Sequence, residues 1–203
     1  MDAFDVLIIG GSAAGLSCAL ILGSAVDKPF ASNKKIGIVT HQKSSALNDA
    51  LLNNVLGLKK GTRGNQVLAD GLAQLSGLYP QVTQIDNEKV TKIEGAFPNF
   101  TVFTNKNSYP AKSIVVAVGS SNLFNIEGLL QYVIPHHSLP PQKERVMLKN
   151  SNHLVTDGIY VAGVLAGWRS QFAIAAGSGA QVATDILTLW NDGKHTMVHD
   201  SIR

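Results

Sequence analysis

The 203-residue chain holds a single cysteine, so neither an internal disulfide nor a CxxC redox pair can form within it. We expect Cys18, on the first predicted helix, to be a buried structural thiol. The apolar run Val6–Ile9 is too short to span a bilayer and stops at two glycines. The N-terminal residues also lack the basic stretch of a signal peptide. These absences predict a cytoplasmic protein that makes no contact with membranes.

Charge is scarce as well. Charged residues make up 15% of the chain, and the formal net charge is +3. No basic run is interleaved with aromatic residues, which argues against nucleic acid as a partner. Hydrophobic residues make up 45%, which is enough to build a sizeable core. At this length we expect one globular domain over residues 1–203.

The N-terminal part of the chain alternates between strand and helix patterns. Val6–Ile9 is apolar throughout, which is typical of a parallel strand buried on both faces. A glycine-rich turn follows, and then small and apolar residues recur at helical spacing from Leu16 to Ser24. Ile36–Val39 is a second apolar strand. This order predicts a Rossmann-like α/β domain with a central parallel sheet and one half of a dinucleotide site.

The middle of the chain predicts one helix and a second sheet. Gly64–Leu78 has the apolar spacing of an amphipathic helix. Extended segments at 82–85, 89–94 and 100–104, with a turn at 105–107, predict a small additional antiparallel β-sheet.

The C-terminal part returns to buried strands and a helix. Strands are predicted at Ser113–Val118 and Gly158–Ala162, and a long helix at Gln171–Trp190. That helix contains Gly177 and Gly179. Because glycine in a helix interior costs about 0.5–1 kcal/mol relative to alanine, we expect a close approach at both positions.

The glycine-rich turn is the strongest local signal for a ligand. Gly10 permits a tight exit from the strand, and Gly15 lets the following helix pack close to the sheet. The amides of the turn and the positive end of the helix dipole would then face a pyrophosphate. Ser12 replaces the middle glycine of the G-x-G-x-x-G pattern, and a purely structural turn is the alternative interpretation. The predicted binding residues here are Gly10, Gly11, Ser12, Ala13, Ala14 and Gly15.

The second strand lacks the acidic residue that usually ends it and binds the adenosine ribose. The sequence there reads Val39-Thr-His-Gln-Lys43. Thr40 or His41 could donate a hydrogen bond to a ribose hydroxyl, or both could be solvated residues at a strand end. Because the carboxylate that separates NAD from NADP sites is absent, this half does not identify the cofactor.

Four landmarks occur along the chain in a recognisable order. They are Asp5–Gly15, then Leu52–Gly57 with Gly61 and Gly64, then Ala117–Gly119, and finally Thr156–Gly163 followed by Gln171–Gly177. This ordered set resembles the thioredoxin reductase-like flavoproteins of the pyridine nucleotide-disulfide oxidoreductase group, over nearly the whole chain. The resemblance implies FAD as the cofactor and a homodimer as the assembly.

The resemblance also implies roles for single residues before the connection. Asn54 would hydrogen-bond the flavin or ribityl region, unless it is a turn asparagine. The backbone of Val90 would meet the adenine. The stretch containing Ala117 and Gly119 would let the chain pass beside the dinucleotide.

Further roles are implied around the second flavin motif. Gly163 would lie near the ribityl chain. Val164 stands where the family has an aspartate that bonds this chain, so a polar contact is missing here. Gln171, Phe172 and Ala173 would present backbone amides to the polar edge of the flavin.

The largest departure from the family is a deletion. Family members of this type carry a nicotinamide-binding domain, with the redox cysteines, between the two parts of the flavin site. Here residues 120–152 alone connect parts 1–119 and 153–203, too few for a further domain of roughly 100 residues. We expect this connection to cross the surface with one short strand. His136 and His137 within it are expected to be solvated rather than proton donors or metal ligands.

Trp168 and Arg169 follow the second flavin motif and are candidates for contacting the isoalloxazine or a bound partner. An arginine near the flavin would stabilise its anionic reduced form electrostatically. The alternative is a surface arginine beside a packing tryptophan.

Two classes of function remain open from the sequence. The first is a flavin-dependent oxidoreductase that takes electrons from an external donor or a redox partner protein, because the chain lacks its own nicotinamide domain. The second is a non-catalytic protein that keeps a degenerate dinucleotide site as a sensor or interaction module. Val164 and the missing domain favour the second, whereas the glycine turn and Asn54 favour the first.

Overall fold

The fold is built around the predicted β-turn-α-β unit. The computed structural model describes residues 2–41 and 45–199, so Gln42 and Lys43 of the strand-end stretch lie outside the described residues. In chain order the strands are β1 (Val6–Ile9), β2 (Ile36–Thr40), β3 (Leu51–Leu52), β4 (Thr62–Arg63), β5 (Thr83–Asp86), β6 (Val90–Ala96), β7 (Asn99–Thr104), β8 (Ser108–Ala111), β9 (Ile114–Val116), β10 (Val133–Pro135), β11 (Val146–Leu148), β12 (Leu154–Thr156) and β13 (Ile159–Val161). The helices are α1 (Ala13–Ser24), α2 (Gly64–Leu78) and α3 (Phe172–Trp190), and 3-10 turns lie at Ala46–Asp49, Leu130–Tyr132, Pro141–Lys143 and Gly163–Ala166.

A mixed but mainly parallel sheet forms the centre. Its strand order among the described residues is β12-β13-β9-β1-β2-β5. The strands from β13 to β5 run parallel, and β12 pairs antiparallel with β13. On β1, Leu7 lies opposite Gly37 of β2 and Ile114 of β9, and every residue of β1 is buried. The predicted Rossmann-like parallel sheet is confirmed.

The central sheet separates two apolar cores. Because side chains alternate along a strand, Val6 and Ile8 face the helices, whereas Leu7 and Ile9 face the antiparallel sheet. Cys18 is buried in the helical core, as predicted, and burial raises the pKa of its thiol. The result is a three-layer arrangement with α1, α2 and α3 on one side.

Helix α3 packs closely against α1. A Cβ added at Gly179 would overlap the carbonyl oxygen of Ala14, so the predicted close approach is confirmed there. At Gly177 the same prediction is wrong, because an added Cβ would meet nothing within 4 Å. Gly177 lies on the exposed side of the helix, where no neighbouring backbone is close enough to require glycine.

Helix α3 is long and apolar enough, by length and composition alone, to cross a membrane. Its buried side chains belong to the helical core of the domain, as is common for a core helix of a globular protein. These buried residues include Val182, Ala183, Ile186 and Leu187.

The predicted antiparallel sheet is also present. Strands β6, β7 and β8 form it, with the turn near 105–107 joining β7 to β8. At its edge the buried carboxylate of Glu88 accepts hydrogen bonds from Thr104 (2.5 Å), Asn107 (2.7 Å) and Tyr109 (3.0 Å). Burial opposes ionisation of Glu88, but these donors, together with Lys106, hold the pKa of the carboxyl below its ordinary value.

The connection over residues 120–152 differs from its prediction. It forms a two-stranded hairpin, β10 with β11, and places Leu129 and Leu148 fully inside the second core. Two short strands therefore replace the one expected, and the segment is anchored rather than merely crossing the surface. His136 is buried, contrary to the prediction of a solvated histidine, whereas His137 is exposed.

Candidate functional site

The glycine turn is held by close contacts between backbones. Gly10 has a φ of +112°, and a Cβ there would overlap the carbonyl oxygen of Ala117 at the end of β9. A Cβ at Gly15 would overlap the carbonyl oxygen of Gly10. Ala117 in turn donates its N–H to Ile9 at 2.8 Å. The first predicted landmark and the Ala117–Gly119 stretch therefore meet at one edge of the sheet.

Ser12 stands at the N-cap of α1 without capping it. Its side chain makes no hydrogen bond to the first turn of the helix, and its hydroxyl pairs instead with that of Ser45 at 2.9 Å. The first amides of α1 therefore have no side-chain cap, and a twelve-residue helix directs its positive end toward this turn. The arrangement suits an anion placed against the turn.

A second turn, Gly163–Ala166, lies beside the first. Gly163 has a φ of +74°, and a Cβ there would lie 3.0 Å from the Cβ of Ala14. The Gly163 N–H donates to the hydroxyl of Ser178 at 2.8 Å. The carbonyl of the half-buried Val164 accepts from Nε2 of His136 at 2.9 Å. Gly179, Gly163 and the glycine turn thus converge on Ala14.

The end of β2 carries an acid that comes from the neighbouring strand. Thr40 is buried, and its hydroxyl donates to Oδ1 of Asp86, its register partner on β5, at 2.6 Å. Thr40 is therefore not a solvated residue at a strand end. Donation from Thr40 or His41 to a ribose hydroxyl stays a prediction. His41 is exposed at the same edge. Sequence analysis did not single out Asp86, because the acid was sought on β2 and spacing along the chain does not show which residue of β5 pairs with Thr40.

With this geometry in place, comparison with known proteins identifies the family. Residues 4–179 match the sequence family described as pyridine nucleotide-disulphide oxidoreductase. The chain belongs to this family. Membership confirms the resemblance inferred from the four landmarks and supports an FAD-dependent oxidoreductase. Among curated protein sequences, none matches the chain.

Several solved structures share the fold of this chain. A thioredoxin reductase from Gloeobacter violaceus aligns with a TM-score of 0.74 at 14% identity, covering 100% of both chains. An oxidoreductase from Agrobacterium tumefaciens gives 0.73 at 15%, over 93% of this chain and 99% of that one. A ferredoxin-flavin thioredoxin reductase from Clostridium acetobutylicum gives 0.68 at 17%, over 95% and 99%. At such low identity the likeness concerns the fold.

Three further predicted site residues lie outside the two turns, in different structural environments. Asn54 is exposed on the loop between β3 and β4, where Asn53 rather than Asn54 accepts the turn hydrogen bond from Gly61 N–H at 2.9 Å. The buried Val90 opens β6, beside a shift in its register with β7. Gly119 is exposed, has a φ of +84° and leaves open space where a Cβ would stand.

The N-terminus of α3 begins where it was predicted. Gln171 is the N-cap residue, and its side chain makes no capping hydrogen bond to the first amides of α3. Phe172 is half-buried, whereas Ala173 is exposed. This end of α3 follows the Gly163–Ala166 turn directly along the chain.

Trp168 has an aromatic partner that sequence analysis missed. The half-exposed indole stacks on the buried ring of His153, with ring centroids 5.9 Å apart. Nδ1 of His153 donates to the carbonyl of Val161 at 2.9 Å. An isolated histidine before β12 has no sequence pattern that would reveal this contact. Arg169 is exposed next to Trp168.

Proposed function

We propose that this chain binds FAD and acts as an oxidoreductase that receives electrons from an external donor or a partner protein. The observation that carries the proposal is the convergence of the two predicted flavin motifs on Ala14. Gly163 approaches the side chain of Ala14, and Gly179 approaches its carbonyl. Ala14 itself belongs to the Gly10–Gly15 turn. Only small residues let the two motifs approach each other this closely, as the close helix packing of a dinucleotide-binding turn requires.

The N-terminus of α1 fits the pyrophosphate of such a ligand. The glycines at positions 10 and 15 bring strand and helix together, so a phosphate can approach the uncapped amides closely. Ser12 is engaged with Ser45 and does not fill the turn. These residues would bind the phosphates through backbone N–H groups and the helix dipole.

Asp86 fits the adenosine ribose. Its side chain is exposed at the carboxyl end of β5, and Thr40 orients one carboxylate oxygen. The remaining acceptor sites of Asp86 would receive hydrogen bonds from ribose hydroxyls, which is the usual role of an acid at the end of β2. A carboxylate here also disfavours a 2′-phosphate, so it suits FAD better than NADP.

The flavin half would lie along the second turn and the start of α3. When bound, FAD would supply a ring system that accepts and passes on electrons. Gly163 would leave room for the ribityl chain, and the first amides of α3 would face the polar edge of the flavin. Asn54 is proposed to contact the same half from its exposed loop. Arg169 would stabilise negative charge on the reduced ring.

The cysteine count and the fold of the connection lead us to propose an external electron source. A single cysteine rules out a disulfide pair within the chain, and residues 120–152 form a hairpin rather than a nucleotide-binding domain. The Clostridium acetobutylicum reductase, similar in fold, is named for ferredoxin and a flavin. A redox protein is therefore a reasonable class of donor for this chain.

We also propose a homodimer. Val118, Trp168 and Ile174 are large apolar side chains that remain exposed near the predicted flavin motifs. A second subunit would remove this apolar surface from water. Sedimentation velocity over a range of concentrations tests this directly, and a monomer throughout would refute it.

Titration of purified protein with FAD and with NADPH tests the proposed function. We expect flavin absorbance to remain with the protein after gel filtration, and FAD to bind more tightly than NADPH. Binding of NADPH without any affinity for FAD would overturn the assignment, and binding of neither would favour a degenerate interaction module.

Anaerobic mixing of the FAD-loaded protein with NADPH tests the electron source. We expect slow or absent bleaching, because orientation of a hydride donor can contribute about 7–11 kcal/mol to a barrier and no nicotinamide domain supplies it. Complete reduction of the flavin within seconds of mixing would show that the chain itself binds the nicotinamide of NADPH.

A further inference from the structure

The connection over residues 120–152 reaches into the second turn of the site. His136 follows strand β10 and is buried, and its Nε2 lies 2.9 Å from the carbonyl oxygen of Val164. The backbone N–H of Ser138 donates to Nδ1 of the same ring at 3.2 Å. Since Nδ1 accepts, the proton of the neutral ring lies on Nε2, and His136 donates to Val164.

A second side chain of the connection holds the other end of the turn. Nδ2 of Asn150 donates to the carbonyl of Ala166 at 3.1 Å and to that of Leu148 at 2.7 Å. Its Oδ1 accepts from the N–H of His153 at 3.1 Å. Asn150 therefore ties β11, the turn and the residue before β12 together.

Packing supports these hydrogen bonds. Gly167 ends the turn with a φ of +96°, and a Cβ there would lie 2.8 Å from Cε of Met147 on β11. Met147 is buried. The hairpin thus fits against the turn without space for one additional carbon atom.

The turn is consequently held by side chains at three of its backbone groups. Ser178 of α3 holds the Gly163 N–H, and the connection holds the carbonyls of Val164 and Ala166. A carboxylate at position 164 would bind the ribityl chain directly, but valine cannot. Ordering a free loop on binding would cost conformational entropy, whereas a turn already held does not incur this cost.

We infer that the connection serves as a positioning element for the flavin half of the site, with His136 as the positioning residue that holds the Gly163–Ala166 turn through the carbonyl of Val164. The inference rests on the proposed binding of FAD. It assigns a role to the segment that replaces a whole domain of the family. His136 does not touch the ligand in this arrangement; it acts through the turn.

The test compares two substitutions that differ by one methylene group. His136→Gln can place an amide N–H where Nε2 stands, whereas His136→Asn reaches only the position of Nδ1. Gln142→Leu, at an exposed position in the same connection, is the matched control. Each protein is titrated with FAD and, separately, with ADP, which carries only the adenylate half.

We expect His136→Asn to weaken FAD binding roughly three- to tenfold, the loss of one hydrogen bond, while changing ADP binding less than twofold. His136→Gln should recover most of the FAD affinity, and the control should match the parent. Equal losses for FAD and ADP would indicate a general structural role and overturn the inference, as would unchanged FAD affinity in His136→Asn.

Amide hydrogen exchange of the ligand-free parent provides a second measurement if His136→Asn does not fold. We expect the amides of Gly163–Gly167 to be protected before any ligand is added. Rapid exchange there would overturn the inference even if the parent binds FAD. A parent that binds ADP but no FAD would instead refute the proposed function, and the inference with it.

Discussion

The two turns of the candidate site are held in different ways. The Gly10–Gly15 turn depends on backbones that lie too close for a Cβ at its first and last residues. The Gly163–Ala166 turn depends on hydrogen bonds from the side chains of His136, Asn150 and Ser178. Added atoms should therefore disturb the first turn most, because they would meet backbone there, whereas removing side-chain donors should disturb the second turn.

This difference separates what the two turns require from the rest of the chain. The close backbone contacts of Gly10 and Gly15 are made with Ala117 after β9 and within the β1-turn-α1 unit, so they need nothing from the connection. The second turn is contacted by residues 136–150, so its shape depends on how the shortened connection folds. The hairpin within the connection thus supplies hydrogen bonds to the second turn.

The largest expected effect comes from adding atoms to the first turn. Gly15→Val should destabilise the protein by more than about 3 kcal/mol and abolish FAD binding, because its Cβ would overlap the carbonyl of Gly10. Chemical denaturation and FAD titration measure the two effects. If the variant bound FAD like the parent, the pyrophosphate would have to lie elsewhere.

A paired substitution in α3 sharpens the same point. Gly179→Ala should cost about 2–3 kcal/mol, since its Cβ would overlap the carbonyl of Ala14. Gly177→Ala, two positions away in open space, should instead stabilise by about 0.5–1 kcal/mol. Thermal unfolding of both variants measures these changes in stability. Stability changes of the same sign in the two variants would contradict the packing described.

Removing an acceptor from the adenylate half should have a smaller and selective effect. Asp86→Asn is expected to weaken both FAD and ADP binding about tenfold, equivalent to roughly 1.5 kcal/mol for a hydrogen bond to a charged group. FMN lacks the adenosine ribose, so its binding should not change. Asp27→Asn, at an exposed turn after α1, serves as the control. Unchanged FAD affinity would remove Asp86 from the site.

The smallest effect is expected outside both turns, at the antiparallel sheet. The pKa of Glu88 is lower in the folded protein, so its ionised form stabilises the fold above the ordinary carboxyl pKa, and this stability is lost as the pH falls. Glu88→Gln should be less stable than the parent at neutral pH, with the difference shrinking in acid. Denaturation at several pH values tests this; a constant difference would show that the carboxylate charge is unimportant.

Much of the fold was readable from local patterns. The apolar run Val6–Ile9, the glycine turn and the spacing of Gly64–Leu78 each predicted the element that forms. The two cores follow from alternation along β1, once helices cover one face of the sheet and the antiparallel sheet covers the other. Asp86 was not predicted, because register between β2 and β5 brings it to Thr40 and no spacing along the chain shows that pairing.

By itself the sequence determined the glycine turn, the order of elements and the family, since these depend on residue size and spacing over short stretches. Tertiary structure alone decided which glycine of α3 meets a neighbouring backbone and that His136 is buried. It also decided that residues 120–152 hold the second turn. Such features depend on contacts between residues far apart in the chain, where two segments meet only after the sheet has assembled.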